Sequence, residues 1–249
     1  MYLMNSLGLG ANFEDSNGEQ AFDLFYRFAC HATVMMNSCI DGPHFGDTMP
    51  LHPQAQAFIA TISALDRPPI AELTIAMART GPTGLLPPSD EQVGAIADFE
   101  LPGGDGQPVR ARGGPAIAYQ VLVYPVTHHA FDTPSYREYG DGCLLTTEGM
   151  RWNWNHYLAD EAAGRDPLAS PLLAPDLRGL PPALVIVAEC DPLCDESEAY
   201  AKRLADAGVP VDCRRYDGLL HAFFTLGQVF DDGRASVAYA GAALRHALG

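Results

Sequence analysis

The residues best placed to do chemistry are Asp191 and His221. Asp191 follows the apolar run Leu184-Val-Ile-Val-Ala-Glu-Cys190, and His221 lies a few residues beyond a second run ending near Tyr216. Ligands of open α/β sheets bind beyond the carboxyl ends of the strands, which is where both residues fall. A carboxylate on one strand-end loop can hold an imidazole on the next in a single tautomer. It also stabilises the cation formed when that imidazole accepts a proton. Each residue has a structural reading as well. Asp191 before Pro192 has the pattern of a helix N-cap with proline in the first position, and Asp195 and Glu196 suit a first helical turn. His221, ahead of Ala222-Phe-Phe224, suits a packed histidine at a helix start.

The elements that must position this pair alternate between strand and helix. Ala116 to Tyr124 is a nearly continuous apolar run stopped by Pro125, as expected of a strand covered on both faces. Ala183 to Ala188 reads as a second buried strand, and Pro192 to Ala207 as a helix with Gly208 capping its C-terminus. Val211 to Tyr216 reads as a third strand. Ala235 to Leu248 forms a closing helix carrying Val237, Leu244 and Leu248. Upstream, Ala55, Phe58, Ile59, Ile62 and Leu65 recur at helical spacing after Pro53, and Pro68-Pro69 ends that helix. Ile70 to Ala78 reads as another short helix, and Val93 to Leu101 with Val109 to Ala111 as two strands about a Gly-rich turn. A helix over Glu148 to Ala159 has Thr147 as N-cap and Met150, Trp154 and Leu158 on one side. This order predicts an α/β fold built on an open parallel sheet flanked by helices.

Composition narrows the function classes. The 249 residues are 47% hydrophobic and 18% charged, which suits a globular chain of one to two domains. Fifteen basic residues against 31 acidic ones give a net charge of −16, which repels phosphate backbones and anionic lipid and argues against nucleic-acid binding. No apolar run is long enough for a membrane span, and the N-terminus has no basic leader before an apolar stretch. Cys30, Cys39, Cys143, Cys190, Cys194 and Cys213 show no paired pattern, and the C-x₃-C of Cys190 and Cys194 lacks a second pair for zinc. They read as reduced thiols of a cytoplasmic protein. His128-His129 has no third ligand nearby, so no metal is expected there and an exposed loop is the better reading. Trp152, Trp154, His156 and Tyr157 suit helix packing better than an acyl pocket. Phosphate-cradling glycine motifs and paired-carboxylate signatures are missing, which leaves nucleotide and glycoside chemistry without support.

Residues 115–249 resemble the C-terminal half of the hormone-sensitive-lipase-like esterases, a branch of the α/β-hydrolases. The resemblance is carried by Gln120-Val-Leu-Val-Tyr-Pro-Val-Thr127, Ala169-Ser-Pro-Leu172, Gly179-Leu-Pro-Pro-Ala-Leu-Val-Ile-Val-Ala-Glu189, Asp191-Pro-Leu-Cys-Asp-Glu196, Tyr200 to Val211, and Tyr216-Asp-Gly-Leu-Leu-His-Ala-Phe-Phe224. Met49 to Arg110 is similar to the family's N-terminal part, and 49–80 to its cap helices. The resemblance implies an α/β-hydrolase-type parallel sheet, hydrolysis of short carboxylic esters without a cofactor, Asp191 as the acid and His221 as the base. Ala222 stands where the family usually has glycine.

The same resemblance shows what is missing. The family has a His-Gly-Gly-Gly oxyanion motif, central strands and a G-x-S-x-G nucleophile elbow. Here Val109-Arg-Ala-Arg112 runs into Gly113-Gly-Pro-Ala-Ile117, a join near 112–115 at which those parts are absent. The expected sheet therefore lacks central strands. The nearest string to an elbow is Glu14-Asp-Ser-Asn-Gly18, with Glu14 where glycine is needed for close packing. Ser16 is thus a weak candidate and the nucleophile stays unassigned; Ser38, Ser63, Ser89 and Ser135 have no elbow glycines. Loss of a triad nucleophile costs about 10⁶ in kcat, roughly 8 kcal/mol. A lost oxyanion donor adds about 3–4 kcal/mol. The reading is an ester hydrolase impaired by these losses, against an inactive remnant or a binding protein of the same fold. Residues 1–48 form an unmatched extension expected to be removable, and 49–249 the hydrolase-like domain. An apolar edge at 117–124 without its usual neighbour would invite self-association.

Overall fold

Runs of apolar residues that fill both faces of a strand need helices on both sides of the sheet, and the structure supplies them. A computed structural model describes residues 50–64, 117–158 and 160–249. The extension 1–48, the helix expected over 70–78, the strands expected over 93–101 and 109–111, the join near 112–115 and Ser16 lie outside the described residues.

Three strands form a parallel sheet in the order β1 (Gln120–Val123), β2 (Ala183–Cys190), β3 (Val211–Leu220). Gln120 pairs with Ala183, and Ala183 with Val211, so the three strands start level; β1 stops opposite Ile186, while β2 and β3 run on to Cys190 and Leu220. β1 is shorter than the apolar run from which it was expected. Its N-terminal limit is marked by Gln120, whose backbone N–H donates to Pro182 O at 2.9 Å and whose Nε2 donates to Pro181 O at 2.8 Å. Among the described residues β1 has one strand neighbour, β2.

β2 shows why the fold holds. Leu184, Ile186 and Ala188 point into one apolar cluster, while Ala183, Val185 and Val187 point into another. Both clusters are covered by helices. On the first face lie α1 (Pro53–Ser63) and the C-terminal helix α5 (Asp231–Leu248), with Phe58 and Phe230 meeting edge to face at 5.7 Å. On the second lies α4 (Cys194–Asp206), through Tyr200, Ala201 and Leu204. Among the described residues the other α-helices are α2 (Pro134–Tyr139) and α3 (Thr147–Tyr157), which belong to the long connection from β1 to β2. β3 leaves the outer side of the sheet charged, with Asp212, Arg214, Arg215 and Asp217 along it, an arrangement that discourages strand addition.

Several boundaries differ from those expected. α1 ends at Ser63, before Leu65; its buried residues are the expected Ala55, Phe58, Ile59 and Ile62. These residues pack into the same cluster as Ile186 and Leu219, so α1 covers the sheet. α3 is capped by Thr146, whose Oγ1 accepts from Gly149 N at 3.0 Å, one residue before the expected Thr147. β3 continues to Leu220, past Tyr216, because Glu189 accepts from Gly218 N at 2.7 Å across an irregularity in the β2–β3 pairing. Gly218 has φ +70, and a Cβ there would stand 2.6 Å from Pro50 O, so only glycine lets the chain before α1 lie on β3. α5 starts at Asp231 rather than Ala235, and Gln54 of α1 bonds to Asp231 through both ends of its amide.

Candidate active site

The two parallel strands β2 and β3 deliver their next residues to the same rim. β2 ends at Cys190 and is followed by Asp191; β3 ends at Leu220 and is followed by His221. The structure brings the two side chains together, with His221 Nδ1 2.7 Å from Asp191 Oδ2. Asp191 is 0% exposed and His221 5%. The second carboxylate oxygen, Oδ1, accepts from Leu193 N at 2.9 Å. A buried carboxylate held by a backbone amide on one oxygen leaves the other fixed towards the imidazole.

Asp191 is therefore not the N-cap of the following helix, and Pro192 is not its first residue. α4 begins at Cys194 with Leu193 at the cap position, where no side-chain hydrogen bond is made. Asp195 and Glu196 do fall in its first turn, but both reach outward to other segments. Asp195 Oδ2 accepts from Ser135 N at 2.8 Å. Glu196 Oε1 accepts from Thr127 N at 2.6 Å and His128 N at 3.1 Å. His221 precedes a short 3₁₀ turn, Phe223–Thr225, and is separated from it by Ala222 at φ +71. That left-handed conformation explains why glycine is the usual residue at this place in the resembling family.

The imidazole has a second neighbour that the sequence did not single out. Tyr124, directly after β1, places its ring 4.3 Å from that of His221, tilted by 49°. Its φ is +32, unusual for a tyrosine, and its N–H donates to Ile186 O at 2.7 Å. Burial pushes its phenol pKa up, and the Asp191 carboxylate adds to that. Three consecutive strands thus contribute the tyrosine, the carboxylate and the imidazole. A polar residue just past an apolar run was a readable signal; an aromatic one at the end of such a run was not.

Described serines are committed elsewhere. Ser135, Ser170, Ser197 and Ser236 each donate Oγ–H to a backbone carbonyl, at 2.6–3.1 Å. Ser135 comes nearest in role, since its acceptor is Pro192 O beside Asp191. Ser63 closes α1. Among the described residues no hydroxyl is hydrogen-bonded to His221, whose partner is Asp191.

Such a geometry suits proton transfer next to a reacting oxygen, and comparison with known proteins says in which fold. Residues 106–225 match the family described as alpha/beta hydrolase fold. The chain has the α/β-hydrolase fold and is related to esterases of that fold. It is 46% identical over 121 residues to the carboxylic ester hydrolase LipN of Mycobacterium tuberculosis, covering 48% of this chain and 32% of that protein. With the ethyl acetate hydrolase of Pseudomonas putida it shares 39% identity over 113 residues, 45% of this chain and 36% of that protein. The chain thus spans about a third of the length of these curated relatives. Among solved structures, a thermostable esterase from Pseudomonas putida superposes with a TM-score of 0.54 at 42% identity, covering 57% of this chain and 46% of that one. An esterase from Rhizomucor miehei gives 0.54 at 39% identity, over 56% and 44%.

The other sequence candidates have structural places in this fold. His128 and His129 do not form an exposed loop; both are half-buried. The His129 ring lies 4.8 Å from Trp154 and 5.1 Å from Phe131, and burial pushes its pKa down. Among the described residues no group of three or more His, Cys, Asp or Glu could hold a metal. Trp154 is buried with Tyr136, Leu145, Met150 and Leu193, while Trp152 rests on His156 and Tyr157 is half exposed. Cys190 and Cys194 are buried thiols pushed up to about 12 by burial, which leaves them protonated and unreactive. No described helix is long and apolar enough to cross a membrane.

Proposed function

We propose that Asp191 and His221 are the acid and base of a carboxylic-ester-hydrolase site of the hormone-sensitive-lipase-like type, acting on small esters without a cofactor. The observation that carries this reading is the 2.7 Å contact between two buried side chains on neighbouring strand-end loops. In this arrangement Asp191 keeps the proton on Nδ1, so Nε2 is the basic nitrogen that takes a proton from the attacking oxygen. The nucleophile stays unassigned, and with the elbow and oxyanion motifs missing the site is impaired. Acting alone, the imidazole can activate water as a general base, worth about 10²–10⁴-fold.

The missing G-x-S-x-G favours a second reading, a catalytically inactive remnant or binding protein of the same fold. Labelling the full chain with a fluorophosphonate probe, followed by peptide mapping, separates the two. A labelled serine identifies the nucleophile and supports the esterase; absence of label supports the remnant. In line with the thiols we place the protein in the cytoplasm. We expect the side of β1 that has no strand neighbour among the described residues to promote self-association, read by light scattering.

A further inference from the structure

We infer that Glu196 is a positioning residue for the His221 imidazole, locking the loop after β1 against the loop after β2. The inference rests on the reading of Asp191 and His221 as an acid–base pair. Glu196 is 1% exposed, which is costly for an acid unless its oxygens have partners. Those partners belong to another loop. Oε1 takes the N–H groups of Thr127 and His128, and the Glu196 carbonyl takes Thr127 Oγ1–H at 3.0 Å. The next residue, Ser197, donates to Pro125 O at 3.1 Å. The first turn of α4 thereby grips Pro125, Thr127 and His128.

Immediately before this gripped segment stands Tyr124, whose ring faces His221. A non-glycine residue at φ +32 persists when its surroundings hold it there. On the other side, the same turn follows Leu193, whose N–H fixes Asp191 Oδ1. One helical turn thus sets both contacts of the imidazole, the carboxylate at Nδ1 and the phenol ring at its face. An acid placed only to favour a helix N-terminus would serve the amides of its own helix. Glu196 serves the amides of the loop after β1. Burial pushes its carboxyl up to about 8, so it works as an acceptor for two amides more than as a charge. A glutamine oxygen can accept the same two bonds.

The test is proton NMR on the full chain, following the low-field Nδ1–H resonance of His221, identified as the one absent from His221→Ala. In the wild type it is present. In Glu196→Ala, two amides lose their acceptor, the loop shifts, and the resonance broadens or disappears although circular dichroism still shows a folded chain. Glu196→Gln restores it. Phe230→Ala, which loosens the apolar cluster without removing any bond of Glu196, leaves it in place. An unchanged resonance in folded Glu196→Ala overturns the inference, and so does its loss in Glu196→Gln. Should Glu196→Ala not fold, Glu196→Asp takes its place: a carboxylate one methylene short loses the resonance while glutamine keeps it, and retention in both overturns the inference. A wild type without the resonance refutes the Asp191–His221 pairing itself, and the inference with it.

Discussion

The rim of the sheet and its helical cover are both buried, but they are held by different forces. At the rim, the side chains of Ser135, Asp191, Glu196 and His221 are held by bonds of 2.6–3.1 Å, made to backbone groups except for the one between Asp191 and His221. Under α1 and α5, Phe58, Ile59, Phe230 and Val237 belong to one apolar cluster. Apolar burial is non-directional, so it determines that the helices cover the sheet and tolerates small shifts. Hydrogen bonds between buried groups are directional and costly to leave unmade, so they fix the angle of one ring. Chemistry needs the second kind of order, and it is supported here by the first.

If that division is right, mutations in the two regions separate activity from stability. His221→Ala has the largest expected effect. Hydrolysis of p-nitrophenyl butyrate, already close to background, falls the rest of the way to background as the general-base contribution is lost. Ser16→Ala leaves that rate alone. Robust turnover abolished by Ser16→Ala would place the nucleophile in the N-terminal segment and reverse this reading.

Phe230→Ala is the converse. The ring is 0% exposed, and its removal is expected to cost about 3–5 kcal/mol of stability by urea unfolding. The chain that remains folded keeps its Asp191–His221 contact. A lost contact in that folded population would show that the cover, and not the rim, sets the geometry.

The third difference is one of pH. The Glu196 carboxyl lies at about 8 in the folded chain against an ordinary 4.5, so the folded state binds this proton more tightly than the unfolded one. Its contribution to stability is fully present below about 4.5, declines as pH rises towards 8, and is flat above that. Glu196→Gln has no such proton. Subtracting its unfolding free energy from that of the wild type at each pH should give that falling curve. A difference that rises with pH across the window contradicts it.

The smallest effect is expected beside the histidine. Ala222 holds φ +71, a conformation that costs a residue with a Cβ about 1 kcal/mol. Ala222→Gly is expected to stabilise the chain by less than that, since glycine gains freedom in the unfolded state. Destabilisation in a urea titration would mean that the Ala222 methyl, 1% exposed, packs better than the backbone is strained.

Much of the architecture was legible because periodicity is a local property. The short continuous apolar run in Ala183–Cys190 and the spacing of Ala55, Phe58, Ile59 and Ile62 marked strand and helix directly. The pair Asp191 and His221 was legible for a similar reason, since each lies just beyond a strand end that a parallel sheet carries to one rim. Helix starts were less so. Asp191-Pro192 looks like a cap by sequence, and the carboxylate could serve either a helix or a histidine. Contact with a ring thirty positions away decided between them, at 2.7 Å. Glu196 shows the same limit. Its place in a first helical turn was visible from its neighbours, but its partners, Thr127 and His128, come from a different strand-end loop. By itself the sequence determined which residues are apolar, at what period, and therefore which elements form and in what order. Only the tertiary structure decided which buried polar atoms answer one another, because a hydrogen bond depends on distance and angle between segments that the chain keeps far apart.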